Sequence, residues 1–138
     1  MPLRLIPALH RATHRIGLLI QEAPGLGVTQ GEAHILAHLA GNGPSTVAEL
    51  HRSLAHKRST LTSILDRLDA ARLIERRTNP SDRRSFIVTL TPAGKKLAAK
   101  VYRRLAAFEA AALTPVTPAE VDAFLRVVER IERGSGVA

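Results

Sequence analysis

The sequence has no cysteine, which excludes a disulfide framework, a thiolate zinc site, an iron–sulfur cluster and a thiol redox switch. The same absence fits a reducing compartment. Aromatic residues are scarce. Three Phe and Tyr102 make up 3% of the chain, too few for a stacking platform that grips single-stranded nucleic acid. No apolar run approaches the roughly 20 residues that cross a bilayer. Charges and His10 interrupt residues 1–12, so these lack the layout of a secretory signal. A cytoplasmic protein with no membrane contact is expected. Acids are the minority charge: 12 Asp and Glu stand against 20 Lys and Arg, for a net charge of +8. Such an excess points to a polyanionic partner, most often nucleic acid. Catalytic signatures are missing too, with no phosphate loop, Gly-x-Ser-x-Gly elbow, His-Glu-x-x-His or paired carboxylates. No enzyme and no cofactor are expected.

The 138 residues suffice for one domain. Pro and Gly divide them into helical stretches and one region of different period. Leu5, Leu9, Ala12, Ile16, Leu19 and Ile20 recur at helical spacing. Pro7 falls in or before the first turn of that helix, and Pro24-Gly25-Leu26-Gly27 breaks it. Thr29 and Glu32 form a capping-box pattern ahead of Ile35, Leu36 and Leu39, and Gly41-Asn42-Gly43-Pro44 ends this second helix. Ser45 is the expected cap of a short third helix with Val47, Ala48 and Leu50 apolar, and Leu54-Ala55 makes a tight connection. A fourth helix sets Leu61, Ile64, Leu65 and Leu68 on one face, with Arg58, Ser59, Thr62, Ser63, Asp66 and Arg67 on the other.

The period then drops to two. Residues 73–78 and 85–90 read as strands, with Phe86, Val88 and Leu90 sharing one face. Residues 79–84, opening with Asn79-Pro80, read as the polar, basic tip of a β-hairpin. Thr91-Pro92 starts a fifth helix carrying Leu97, Val101, Leu105 and Phe108. Thr117-Pro118-Ala119-Glu120 starts a sixth, whose apolar face holds Val121, Phe124, Leu125, Val128 and Ile131.

Two short helices, a basic hydroxyl-rich helix and a basic hairpin in this order form the layout of a winged helix-turn-helix. A helix fits the major groove and reads base edges. A hairpin beside it reaches the backbone or the minor groove, where Arg is drawn by the concentrated negative potential. Residues 51–84 hold nine Lys and Arg against four Asp and Glu, a net +5 of the chain's +8. The charge is concentrated where the groove-binding elements would lie.

The strings Arg58-Ser59-Thr60-Leu61-Thr62-Ser63-Ile64-Leu65-Asp66-Arg67-Leu68, Leu73-Ile74-Glu75-Arg76 and Asp82-Arg83-Arg84-Ser85-Phe86-Ile87-Val88-Thr89-Leu90-Thr91-Pro92-Ala93-Gly94 resemble the MarR family of bacterial transcription regulators. The resemblance implies a mostly α fold with a small β-hairpin wing, in a single domain over 1–138. Residues 29–92 would be the winged helix-turn-helix, and 1–28 and 93–138 the dimerisation helices. It implies a homodimer on a pseudo-palindromic operator in double-stranded DNA, acting as a repressor, with a small-molecule effector or other signal that relieves binding. It also implies that 58–67 is the recognition helix, and that Asp82 and Arg84 are an Asp-x-Arg wing motif with Arg83 in its variable middle position. Two departures stand out. Lys57 occupies the usual Ser N-cap, and Arg72 the usual Gly, where a left-handed residue would carry roughly 1 kcal/mol of strain.

The candidate DNA-binding residues are therefore Lys57, Arg58, Ser59, Thr60, Thr62, Ser63, Arg67, Asp82, Arg83 and Arg84. Arg76 and Arg77 read as strand surface. A solvated polar face is the bland alternative for each, and a winged-helix protein–protein assembly module without operator binding is the competing function. His10 and His14 lie four apart, as do His34 and His38, so each pair can share a helix face. Such pairs can chelate a transition metal or form a pH-responsive contact. The plainer reading is polar residues at a helix or subunit interface, and with no third ligand in view no metal site is assigned. His51 and His56 are expected near DNA.

Overall fold

A computed structural model describes residues 1–55 and 57–137. His56, expected near DNA, lies outside the described residues. Six helices and three strands follow in the order α1 (Ile6–Glu22), α2 (Gln30–Asn42), β1 (Ser45–Thr46), α3 (Val47–Leu54), α4 (Arg58–Ala70), β2 (Ile74–Asn79), β3 (Asp82–Leu90), α5 (Pro92–Leu113) and α6 (Pro118–Gly134). They form two compact units, 1–102 and 103–138, and α5 contributes to both.

The first unit holds the core. Ile20, Ile35, Leu36, Leu50, Leu61, Leu68, Ile74, Val88 and Val101 are all but fully buried. These come from every helix of the unit and from the two long strands. Truncating one such Leu or Ile to Ala costs about 2–5 kcal/mol. On α4 the helical spacing works as expected: Leu61, Ile64, Leu65 and Leu68 are buried while residues 58–60, 62, 63, 66 and 67 are exposed. Phe86 departs from expectation, because it shares a face with buried Val88 yet stays 48% exposed. It lies beyond the edge of the core, where the hairpin projects.

The local chemistry of several turns differs from the reading of the sequence. Ser45 does not cap α3. It enters β1, where Ser45 and Thr46 pair with Val88 and Ile87. Thr46 takes the capping role instead: its hydroxyl accepts from the Glu49 amide at 3.1 Å, and the Glu49 carboxylate accepts from the Thr46 amide at 3.1 Å. The sheet is therefore three-stranded and antiparallel, in the order β1-β3-β2. At α2 only half of the capping box forms. Thr29 accepts from the Glu32 amide at 3.2 Å, but the Glu32 carboxylate turns elsewhere. The hairpin is also tighter than a six-residue tip. Asn79 pairs with Asp82, so Pro80 and Ser81 alone make the turn, and Arg83 and Arg84 belong to β3.

The α4–β2 junction ends in a Schellman motif. The Leu73 amide donates to the Leu68 carbonyl and the Arg72 amide to the Asp69 carbonyl, each at 2.9 Å. This arrangement needs a left-handed residue, and Arg72 supplies it at φ 59°. Ala55 does the same after α3 at φ 52°. The start of α5 lies directly on this junction. Thr91 donates from its hydroxyl to the Arg72 carbonyl at 2.7 Å and from its amide to the Leu73 carbonyl at 3.1 Å.

In the second unit, Thr117 and Glu120 complete a capping box behind Pro118. Hydrogen bonds from the Thr117 amide and hydroxyl hold the Glu120 carboxyl below the usual glutamate range. The helix that follows buries none of its residues, and Phe124 and Leu125 are 48% and 56% exposed.

Candidate nucleic-acid interface

The hydroxyls and cations of α4 are displayed because its leucines are not. With one face committed to the core, Ser59, Thr60, Thr62, Ser63 and Arg58 have no option but the outer face. Lys57 is the N-cap residue and makes no side-chain cap bond. The first turn thus presents amides without a side-chain cap from Lys57, beside two cations, a positive end well suited to phosphate oxygens.

The wing is organised by a short chain of side-chain bonds. Asn79 accepts from the Ser81 amide at 3.0 Å, the turn chemistry expected of Asn before Pro, and its amide donates to the Ser85 hydroxyl at 3.1 Å. Ser85 in turn donates to the Asp82 carbonyl at 3.1 Å. Asp82 accepts from the Arg84 amide at 3.1 Å and from Arg84 Nε at 3.4 Å. Asp82 therefore orients Arg84 while leaving its side chain 94% exposed. Arg83 lies in the irregular stretch of the ladder between the Asn79–Asp82 and Thr78–Phe86 pairs, and it is exposed.

Between α3, α4 and the wing lies a cleft of about 480 Å³. Arg52, Arg58 and Arg84 converge on it with His51, over a floor that includes Leu61 and Phe86, and among the described residues no carboxylate lines it. Arg52 and Phe86 received no role from the sequence. The signal for Arg52 was its place in the last turn of the helix preceding the recognition helix. That for Phe86 was a period-two position shared with Arg84.

Two predicted roles change in the structure. Arg67 does not project freely. Its Nε donates to Glu32 Oε1 of α2 at 3.1 Å, and the arginine side chain is half exposed while the glutamate is 14% exposed. Arg76, read as plain strand surface, is clasped by two acids of α4. Its Nη2 lies 2.9 Å from Asp69 Oδ2 and 3.1 Å from Asp66 Oδ1, and its Nε donates to Asp69 Oδ2 at 3.2 Å. The hydrogen bonds to Asp69 and then Asp66 hold its pKa above the ordinary guanidinium value despite partial burial. Arg77 pairs with Glu75 along the same strand at 3.3 Å.

The histidines do not assemble a metal centre. His10 and His14 stack at 6.4 Å with rings 7° from parallel, and His38 Nδ1 lies 3.4 Å from Asn42 Nδ2. Among the described residues no three His, Asp or Glu side chains converge as a metal ion requires. Nor, among these residues, is any helix long and apolar enough to cross a membrane.

Comparison with known proteins gives the same assignment. A model of the MarR family matches residues 26–85, the stretch from the end of the α1–α2 loop into the wing. The transcriptional repressor NicR of Pseudomonas putida is 40% identical over 62 residues, which are 45% of this chain and 39% of that protein. The matched region spans between 39% and 55% of the length of the curated relatives. The structure of a probable transcriptional regulator from Pseudomonas aeruginosa superposes with a TM-score of 0.72 at 26% identity, over 93% of this chain and 96% of that one. BpsR of Bordetella bronchiseptica, whose DNA binding is regulated by 6-hydroxynicotinic acid, superposes with a TM-score of 0.70 at 25% identity, over 91% and 96%. Residues 26–85 are thus similar to the MarR family of transcription regulators, and the chain shares the fold of solved regulators over more than nine-tenths of its length.

Proposed function

We propose that the protein is a homodimeric, sequence-specific double-stranded DNA-binding repressor whose operator binding is relieved by a small ligand. The observation that carries this reading is the acid-free cleft on which guanidiniums of α3, α4 and the wing converge. Three cations from three elements around one concavity suit a phosphodiester backbone running between the major groove, read by α4, and the minor groove, entered by the wing. Lys57, Arg58, Ser59, Thr60, Thr62 and Ser63 serve the major groove, and Arg84, oriented by Asp82, serves the minor groove. Arg83, exposed beside Arg84, contributes charge to the hairpin. Dimerisation through 1–28 and 93–138 is supported by the apolar side chains that α6 leaves exposed. A second copy in closed two-fold symmetry is the economical cover for them. For the ligand, the regulation of BpsR by 6-hydroxynicotinic acid makes a small aromatic acid the first candidate.

The test is a mobility-shift titration on duplexes selected by the protein from a random library, with Arg84→Ala beside the parent. At 94% exposure the side chain holds little of the fold together. The variant therefore stays folded, binds several-fold more weakly, and shows a shallower salt dependence by about one counterion per lost phosphate contact. Unchanged affinity at moderate salt removes the wing from the mechanism. A parent protein that binds no duplex at low salt is instead an assembly module.

A further inference from the structure

We infer that Arg76 is a positioning residue for DNA recognition: by clasping Asp66 and Asp69 it locks the wing to the recognition helix and so sets the distance between the two groove-reading elements. This rests on the DNA-binding reading above and adds a device to it.

The geometry follows from two periodicities. Ile74 and Arg76 are two apart on β2 and so share the face turned toward α4, where Ile74 is 1% exposed and anchors the strand. Asp66 and Asp69 are three apart on α4 and so lie side by side. The guanidinium emerges beside the core and meets both acids at 2.9–3.2 Å, through two of its nitrogens. A planar fork shared between two carboxylates fixes an angle as well as a distance, which a single flexible ammonium does not.

Energy is not the reason for this cluster. The side chains are 31%, 59% and 44% exposed, and ion pairs of that kind contribute little to stability. Electrostatic attraction to DNA is not the reason either. Thr62, Asp66 and Asp69 follow one another at i, i+4 and i+7, so two carboxylates stand on the stripe that begins with a candidate base-reading hydroxyl. There they repel phosphates. A cluster that is neither stabilising nor attractive still has a use in pre-organisation, since the wing leaves α4 through only three residues, 71–73, one of them in a left-handed conformation. The ion pair of Glu32 with Arg67 joins the recognition helix to α2 and not to the wing.

Charge and positioning predict opposite outcomes, so they can be separated. The Asp66→Asn/Asp69→Asn variant and an Arg76→Lys variant are titrated against the selected duplex and a scrambled one, with thermal unfolding run alongside. The double variant gains two positive charges per protomer and binds the scrambled duplex more tightly, yet its preference for the selected duplex falls about tenfold or more. Arg76→Lys keeps the net charge and both carboxylates; it leaves scrambled binding unchanged and loses preference by a comparable factor. Hydroxyl-radical footprints of both variants keep the major-groove protection and lose the minor-groove protection under the wing. A merely structural role would lower the melting temperature and weaken both duplexes together. Retention of preference within about threefold in both variants overturns the inference. So does retention in Arg76→Lys alone, since the acids would then be reading bases directly. A parent protein with no duplex binding sinks the DNA reading and the inference together, an outcome distinct from either.

Discussion

Gly94 leaves no room for a side chain. It is the third residue of α5, and its amide donates to the Thr91 hydroxyl at 3.0 Å. A Cβ placed on it would lie 1.8 Å from the Leu73 carbonyl oxygen and 2.8 Å from the Leu73 carbonyl carbon. Both are backbone atoms of the junction between the recognition helix and the wing, so no rotamer change relieves the clash. In Gly94→Ala the start of α5 must retreat by about 1 Å or more. That retreat breaks the two bonds from Thr91 to the carbonyls of Arg72 and Leu73, each worth about 1 kcal/mol. Residual overpacking adds about 1–3 kcal/mol. Ala regains up to about 1 kcal/mol as the better helix former. The net loss is about 2–4 kcal/mol, which for a chain of this size lowers the melting temperature by roughly 5–15 °C. Circular-dichroism melts at one protein concentration measure it. Gly134→Ala is the control, because a Cβ there meets nothing within 4 Å. If Gly94→Ala melts with that control, the close approach of α5 to the junction is wrong.

Two further substitutions probe the same region. Arg72→Gly removes the φ 59° strain and raises stability by about 1 kcal/mol in urea unfolding; no gain would mean the left-handed site is not strained. Glu32→Gln releases Arg67 and strengthens duplex binding a few-fold with a steeper salt dependence. The gain disappears when Arg67→Ala is added, and an undiminished gain in that double variant would show that Arg67 never reaches phosphate.

Much of this was legible in the residues because the two hydrophobic periods are unambiguous. Leu61, Ile64, Leu65 and Leu68 fix which side of α4 is hidden, and hence which side can meet DNA. The resemblance joined Asp82 and Arg84 in one wing motif, and the structure places the pair at 3.1–3.4 Å. What the sequence concealed has one common cause: a side chain's partner lies on another element. A two-residue strand such as β1 has no period to detect and exists only because β3 offers a free edge. Ser45 is a reasonable N-cap until that edge draws it into pairing, which shifts the cap to Thr46. Glu32 has a local option, the Thr29 amide, and a distant one, Arg67. A charged donor offers a stronger bond than a neutral amide, so the distant option wins.

The same competition explains why a charge count does not say which arginines of the segment are already paired. Summing residues 51–84 treats every Arg as available to phosphate. In the structure Arg67, Arg76 and Arg77 each meet a carboxylate and none of the three lines the cleft, whereas Arg52, Arg58 and Arg84, the last held by Asp82 at 3.4 Å, converge on it. In the proposed DNA complex the net charge of the segment would draw the duplex in, and the placement of each arginine, a property of the fold, would decide which of them reach it. On the inference drawn above, the acids of α4 have a role that a count of charges would enter only as a loss: by occupying Arg76 they would give up some attraction to phosphate and fix the angle at which the remaining cations meet a duplex.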